Sequence, residues 1–201
     1  MRILVLFAHP AYQKSRINRR VRAQMAGLPG ITIHDLYQAS PEFDIDVPRE
    51  QQLLREHDVV VFHHPFFWYS VPALLKEWLD LVLEHGWAYG RTGRALEGKL
   101  CFNVVSCGGR EDSYRQEGMN RHTVRQLLAP VENTARLCRM HYLAPFVIHG
   151  THAIEAPELE AHCADLGRLL TALMDGRLDL EHAHRADLLN GCPERATEGV
   201  S

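Results

Sequence analysis

The sequence of 201 residues lacks the features that mark secreted, membrane-spanning and nucleic-acid-binding proteins. Its five cysteines are odd in number and include no Cys-x-x-Cys pair, a pattern typical of a reducing compartment. No apolar run is long enough to span a bilayer, and the opening apolar segment is too short for a signal peptide. The net charge of −3 gives no overall positive field, so nucleic acid is not an expected partner. We expect a cytoplasmic protein.

The thirteen histidines do not form an obvious metal site. His63 and His64 are adjacent on a predicted strand, so their side chains point to opposite faces and cannot easily hold one ion. His149 and His152 have a workable spacing but no acidic or cysteine ligand nearby, and the same holds for a histidine pair after residue 180. We therefore predict no metal site.

With 46% hydrophobic residues the chain can bury one core, so a single domain is expected. Apolar segments rich in β-branched and aromatic residues recur at 2–7, 31–36, 59–63, 100–105 and 142–148. Segments with helical spacing lie between them. Continuous apolar strands that alternate with helices predict an α/β fold with a parallel sheet covered on both faces. Apolar density falls after Gly176, so we assign residues 1–175 to the domain and 176–201 to a C-terminal tail.

Three unusual loops, at 8–18, 65–72 and 106–118, follow the first, third and fourth predicted strands. Ligands of open parallel sheets bind beyond the carboxyl ends of the strands, so these loops are expected to meet at one site. The second loop holds Phe67, Trp68 and Tyr69 between two prolines. Exposed aromatic side chains there favour a flat apolar ligand, although packing against the following helix would also explain them.

The first loop predicts a phosphate site. Ser15 is a good N-cap for a helix, Asn18 follows in the first turn, and His9 could add a donor. The loop has neither the GxGxxG nor the GxxxxGK[ST] signature, and an ordinary capped helix is the alternative.

The third loop carries paired glycines, Gly108 and Gly109, which let backbone N–H groups approach a ligand closely. Tyr114 follows, where its phenol could face the same cleft. A flexible turn with a surface tyrosine is the alternative. A phosphate site, an aromatic platform and a loop of backbone donors together suit a mononucleotide with a flat, electron-accepting ring, and FMN fits that description.

Several blocks of sequence carry a family resemblance that spans residues 1 to about 150. They are Phe7-Ala8-His9-Pro10, Ser15 with Asn18, Trp68-Tyr69-Ser70-Val71-Pro72, Leu75-Lys76 with Trp78 and Asp80, His85-Gly86-Trp87-Ala88-Tyr89-Gly90, and Ser106 through Gly109. In this order they resemble the flavodoxin-like NAD(P)H:quinone oxidoreductases. The similarity is greatest to the branch that contains small cytosolic ancillary proteins of glutathione-gated potassium-efflux systems.

This resemblance implies a flavodoxin-like three-layer sandwich, in which a five-stranded parallel sheet of order 2-1-3-4-5 has helices on both faces. It also implies tightly bound FMN, NAD(P)H as co-substrate, and a homodimer with active sites at its interface. The implied reaction is a two-electron, ping-pong hydride transfer to a quinone or a similar electrophile. A membrane potassium-efflux transporter is an implied partner, which would bring the protein to the inner face of the cell membrane.

The resemblance further assigns roles to residues of the three loops. It implies that FMN is bound by His9, Ser15 and Asn18 at the phosphate and ribityl end, by Phe67, Trp68, Tyr69 and Ser70 along the flavin, and by Ser106, Cys107, Gly108 and Gly109 at the pyrimidine side. Tyr114 stands at the position of the family's active-site tyrosine, which polarises the flavin or the acceptor.

One position departs from the family pattern. A histidine that assists charge stabilisation follows the family's tyrosine after a few residues, whereas this chain has Asn120 there and its nearest histidine at His122. An amide donates a hydrogen bond but cannot carry a proton as imidazole does. Either His122 reaches in through a shifted loop, or Asn120 takes this catalytic place beside Tyr114 and proton relay is weaker here.

Two further functions are compatible with the sequence. The chain could be a regulatory subunit that binds a transporter, which does not conflict with an enzymatic activity. It could also be a flavodoxin-like electron carrier with no substrate of its own. A carrier needs no roomy substrate cleft, so the aromatic loop speaks against the second of these.

Overall fold

The computed structural model describes residues 1–192, in which strands and helices alternate along the chain. The strands are Ile3–Phe7 (β1), Ile31–Asp35 (β2), Val59–Pro65 (β3), Leu100–Ser106 (β4), His141–Tyr142 (β5) and Phe146–Ile148 (β6). The helices are Arg16–Ala26 (α1), Leu36–Ala39 (α2), Val47–Glu56 (α3), Ala73–Val82 (α4), Val124–Leu127 (α5), Ala129–Leu137 (α6), Ala156–Met174 (α7) and Leu180–Arg185 (α8). The predicted α/β fold class is confirmed.

The strands form one parallel sheet with the order β2-β1-β3-β4-β5, and β6 also pairs with β4. The predicted order 2-1-3-4-5 is therefore confirmed. The prediction of one continuous strand over 142–148 is wrong, because Pro145 interrupts it and has no N–H to donate to the ladder. Between the end of β5 and Pro145, the Leu143 N–H still donates to Cys101 O of β4 at 2.8 Å. The Ala144 N–H instead donates to Ala183 O, outside the sheet, at 2.9 Å.

Alternate residues of the strands face two separate cores, which makes the fold a three-layer sandwich. Leu4 and Leu6 of β1 pack with helices α2 to α6 on one side of the sheet. Ile3 and Val5 pack with α1, α7 and α8 on the other side. Both cores are apolar, so both sheet faces are covered, as the continuous apolar strands predicted.

A buried carboxylate links three elements on the first side of the sheet. Glu50 of α3 is only 3% exposed, and its Oε1 lies 2.7 Å from His34 Nε2 of β2. The Nε1–H of Trp78 on α4 donates to Glu50 Oε2 at 2.8 Å. Both carboxylate oxygens are thus satisfied, which is what a buried charge requires.

The segment after α7 packs against the edge of the sheet. Leu178, Ala183 and Leu189 are buried in the second core. The Asn190 side chain pairs with the free backbone edge of β6: its Oδ1 accepts from the Val147 N–H and its Nδ2 donates to Val147 O, both at 2.9 Å. Residues 193–201 of the predicted tail lie outside the described residues.

Candidate functional site

A cavity of about 660 Å³ opens at the carboxyl ends of β1, β3 and β4, where the three unusual loops meet. Its size is in the range of small-molecule sites. The predicted site residues that line it are His9, Ser15, Asn18, Phe67, Trp68, Tyr69, Ser106, Gly108, Gly109, Tyr114 and Asn120. Cys107 and Ser70 do not line it. The structure thus brings together residues from the full length of 9–120, as the strand-end rule predicted.

The amino end of α1 forms one end of the cavity. Ser15 caps the helix by accepting the Asn18 N–H at 3.1 Å. Within residues 1–192, the N–H groups of Arg16 and Ile17 donate to no backbone carbonyl, and both residues line the cavity. Lys14 adds a positive side chain to the same end. Free N–H groups, the helix dipole and positive charge together form a suitable anion site.

Asn18 is not free to face a ligand, because its amide is satisfied within the protein. It is 3% exposed, and its Nδ2 donates to Ser15 Oγ at 3.0 Å and to Ser106 Oγ at 2.9 Å. Its Oδ1 lies 3.0 Å from His63 Nε2. Asn18 therefore ties the first loop to the end of β4, a connection that the sequence did not reveal.

His9 is held in one neutral form. Its Nδ1 accepts the Ala11 N–H at 3.0 Å, so the hydrogen of the neutral ring lies on Nε2. Burial lowers the pKa of His9, which keeps the ring neutral. His9 can therefore offer one donor, Nε2–H, at the cavity.

The aromatic loop forms an exposed wall of the cavity. The exposed fraction is 44% for Phe67, 92% for Trp68 and 46% for Tyr69, whereas Phe66 is buried in the core. The alternative of a loop packed in the core therefore holds for Phe66 and is wrong for the other three. Trp68 and Tyr69 have left-handed backbone angles, with φ of 49° and 63°, which are strained for residues with a side chain.

The glycine loop leaves its backbone open to the cavity. Cβ atoms added at Gly108 and Gly109 would lie 2.7 Å from His152 Nε2 and 3.0 Å from Tyr114 Cε2, so side chains here would force neighbours to move. In the described part of the chain, neither glycine N–H donates to a backbone carbonyl. Cys107 is buried and its N–H donates to Ile148 O at 2.8 Å, so Cys107 holds the loop in place instead of lining the cavity.

Tyr114 packs beside this loop as a protonated donor. Its ring centroid lies 6.0 Å from that of Phe66 and 5.5 Å from that of His149. Burial, with smaller contributions from Cys107 and Tyr69, raises the pKa of Tyr114 to about 12. The phenol therefore keeps its proton at neutral pH.

Asn120 lines the cavity and is hydrogen-bonded to the aromatic loop. The Tyr69 hydroxyl donates to Asn120 Oδ1 at 3.2 Å, which leaves the amide Nδ2 as a donor. His122 is exposed, does not line the cavity, and lies with Nδ1 3.1 Å from the Asn120 carbonyl oxygen. The alternative in which His122 reaches into the site is therefore not what the structure shows.

Thr151 and His152 also line the cavity, although both lie far outside the three predicted loops. They follow β6, and the Thr151 N–H donates to Cys107 O at 3.1 Å, which holds their loop against the glycine loop. No motif marks them, and only the pairing of β6 with β4 brings them to the site.

No group of three or more metal-ligating side chains occurs within residues 1–192. In the same part of the chain, no helix has the length and hydropathy needed to cross a membrane.

Comparison with known proteins agrees with this geometry. A profile of the family described as having a flavodoxin-like fold matches residues 1–170. The chain belongs to this flavodoxin-like family. It is 46% identical over 166 residues to the glutathione-regulated potassium-efflux system ancillary protein KefG of Shigella flexneri serotype 5b, covering 83% of this chain and 91% of that protein.

Two solved structures are also similar to this chain. One is general stress protein 14 from Treponema denticola in complex with FMN, at 36% identity and a TM-score of 0.81, covering 86% of this chain and 99% of that one. The other is an NADPH-quinone reductase from P. pentosaceus, at 30% identity and a TM-score of 0.77, covering 84% of this chain and 96% of that one.

Proposed function

We propose that the chain is an FMN-dependent NAD(P)H oxidoreductase that reduces quinones or similar electrophilic acceptors. The observation that carries this proposal is the cavity, in which a helix amino end, an exposed aromatic wall and an open glycine loop share one space. Similarity to a structure that holds FMN and to an NADPH-quinone reductase adds support.

The cavity residues fit the parts of FMN. The phosphate is a dianion that accepts hydrogen bonds, and the Ile17 N–H and the Ser15 hydroxyl are available to donate at that end. The exposed face of Trp68 suits a flat ring system. The open N–H groups of Gly108 and Gly109 suit the polar pyrimidine edge and would oppose negative charge there.

When bound, FMN would supply the redox chemistry, in which a hydride from NAD(P)H and a proton convert a quinone to a hydroquinone and leave NAD(P)⁺. The chain's own residues bind and orient the reactants. Trp68 and Tyr69 present exposed rings that would hold the flavin on one side, so that the nicotinamide and the acceptor could reach it in turn from the open side of the cavity. Tyr114 and Asn120 hold hydrogen-bond donors at fixed positions beside them.

The proposal is tested by the visible spectrum of the purified protein under anaerobic conditions. We expect the protein to carry or take up FMN, to be bleached by NADH or NADPH, and to recover its colour with menadione. Separate titrations with the two nicotinamides determine the preferred one. A colourless protein that takes up no FMN would contradict the cofactor, and an FMN-bound protein without steady menadione turnover would favour the electron carrier.

The similarity to KefG favours a second, compatible function as an ancillary protein of a potassium-efflux system. We propose that the chain acts as a homodimer on the cytosolic side of such a transporter. Trp68 and Met119 at the cavity are 92% and 83% exposed, which offers an apolar surface that a second copy could cover. Light scattering and co-purification with a potassium–proton antiporter test these points, and a monomer that recovers no transporter would contradict them.

A further inference from the structure

A buried histidine outside the cavity lining, His63, is connected to the phosphate end of the site through Asn18. His63 is 1% exposed, and its Nε2 lies 3.0 Å from Asn18 Oδ1. An amide oxygen only accepts hydrogen bonds, so His63 Nε2 must carry the hydrogen and donate it. Burial lowers the pKa of His63 well below its ordinary value, and the nearby His64, His9 and Arg22 lower it further, so the ring is neutral.

The hydrogen bond from His63 to Asn18 determines which atoms donate and which accept in the hydrogen bonds between Asn18 and the two serines. Asn18 Oδ1 is turned to His63 and also lies within 3.3 Å of the Ser106 hydroxyl, a longer contact. In this orientation Nδ2 donates to Ser15 Oγ at 3.0 Å and to Ser106 Oγ at 2.9 Å. Ser15 Oγ also accepts the backbone N–H of Asn18 at 3.1 Å. A hydroxyl has two acceptor positions and one proton, so both acceptor positions of Ser15 are occupied. In the described residues its proton has no protein acceptor, and Ser15 lines the cavity.

We propose that His63 is a positioning residue that makes Ser15 a hydrogen-bond donor to a ligand phosphate. This inference rests on the proposed function, in which FMN occupies the cavity. Without a donor at His63, the Asn18 amide can turn over and offer its oxygen to Ser15 and Ser106. The Ser15 proton would then be donated to Asn18 and not to the phosphate, which accepts but does not donate hydrogen bonds.

His64 is a matched control on the same strand. It is as deeply buried as His63 but points to the opposite face of the sheet. Its Nδ1 lies 3.0 Å from Pro65 O, and its Nε2 lies 2.9 Å from Asn103 Nδ2. Asn103 in turn accepts from the Tyr142 hydroxyl at 2.6 Å. Pro65 lines the cavity, but Asn103 and Tyr142 do not, and none of these bonds involves Asn18 or Ser15. A change at His64 therefore disturbs the core without touching Ser15.

The test compares the dissociation constants of FMN and riboflavin, which differ by the phosphate, for the flavin-free protein. His63→Phe keeps a flat ring and removes the donor, and we expect FMN binding to weaken about tenfold, or about 1.4 kcal/mol, with riboflavin changed by less than about twofold. His63→Gln, whose side-chain amide can donate in place of Nε2, should retain the preference for FMN. His64→Phe should leave the ratio of the two constants unchanged.

An equal loss of both flavins in His63→Phe would overturn the inference, as would a changed ratio in His64→Phe. If His63→Phe fails to fold, His63→Leu provides the same test, since its smaller apolar side chain also lacks the donor and adds no charge. An unchanged ratio in His63→Leu would also overturn the inference. Wild-type protein that binds neither flavin would overturn the proposed function itself, whereas a wild-type preference that survives in His63→Phe overturns the role of His63 alone.

Discussion

Removal of the Tyr114 hydroxyl should slow turnover without releasing the cofactor. The phenol is a neutral donor held beside Gly109, where it faces the edge of the cavity that would carry negative charge in reduced FMN. Tyr114→Phe keeps the ring and its contacts with Phe66 and His149, so the loop should keep its shape. The variant also removes the hydrogen bond between the hydroxyl and Cys107, so retention of FMN is the check that the loss is electrostatic and not structural.

The size of the rate effect can be worked out from the loss of one hydrogen bond between the Tyr114 hydroxyl and a charged group. Such a hydrogen bond contributes about 1.5–3 kcal/mol, which corresponds to a rate effect of about 10- to 150-fold. The cavity is open to solvent and the N–H groups of Gly108 and Gly109 act on the same edge, so we expect the lower part of this range, about 10- to 30-fold. Because the pKa of Tyr114 is raised to about 12, the wild-type rate should show no loss from tyrosine ionisation below pH ~10.

Stopped-flow measurement of cofactor reduction by NAD(P)H, followed by reoxidation with menadione, separates the two half-reactions. The reduction rate should fall in Tyr114→Phe while the flavin absorbance per chain stays constant. Tyr37→Phe is the control, since Tyr37 lies on α2 and does not line the cavity. Equal reduction rates in Tyr114→Phe and wild type would refute this reasoning, and loss of FMN would show that Tyr114 has a structural role instead.

Two further predictions concern the glycine loop and the buried carboxylate. Gly108→Ala would place Cβ 2.7 Å from His152 Nε2. Because this is the end of a movable side chain, the melting temperature should stay nearly constant, whereas FMN affinity should fall because the loop backbone is no longer open. An unchanged affinity in fluorescence titration would contradict this. Glu50→Gln removes a charged acceptor that is 3% exposed, and the free energy of unfolding in urea should fall by about 1–3 kcal/mol. Glu56→Gln on the exposed face of the same helix is the control, and equal effects of the two substitutions would contradict the role of burial.

Much of the fold could be predicted from the sequence because the strands are continuously apolar. The first four strands lie within two residues of their predicted bounds, and their order followed from the family resemblance. The helix Val47–Glu56 has only a weak sequence signal, since two of its buried positions are the polar residues Glu50 and Gln51, which break the apolar period. The break at Pro145 was missed because apolar residues continue on both sides of it.

Site residues could be predicted from the sequence where their residue type favours a particular local structure. They could not be predicted where only the tertiary fold determines their conformation or their partner. Ser15 could be recognised as a helix cap, and the paired glycines as an open loop. The left-handed backbone of Trp68 and Tyr69 has no sequence signal, since that conformation is favoured by glycine and asparagine. The role of His63 was equally hidden, because its partner Asn18 lies 45 residues away in the chain.

The hydrogen-bond donors of Tyr114, Asn120 and the glycine loop share one property, which is that they keep their protons across neutral pH. Tyr114 has its pKa raised to about 12, the amide of Asn120 does not titrate, and the N–H groups of the glycine loop are backbone. The departure from the family pattern at Asn120 is therefore consistent with its surroundings. Negative charge in this cavity would be stabilised by fixed dipoles and not by proton transfer from Asn120. If the proposed quinone reduction takes place here, the proton that completes the hydroquinone would have to come from another group or from solvent at the open side of the cavity.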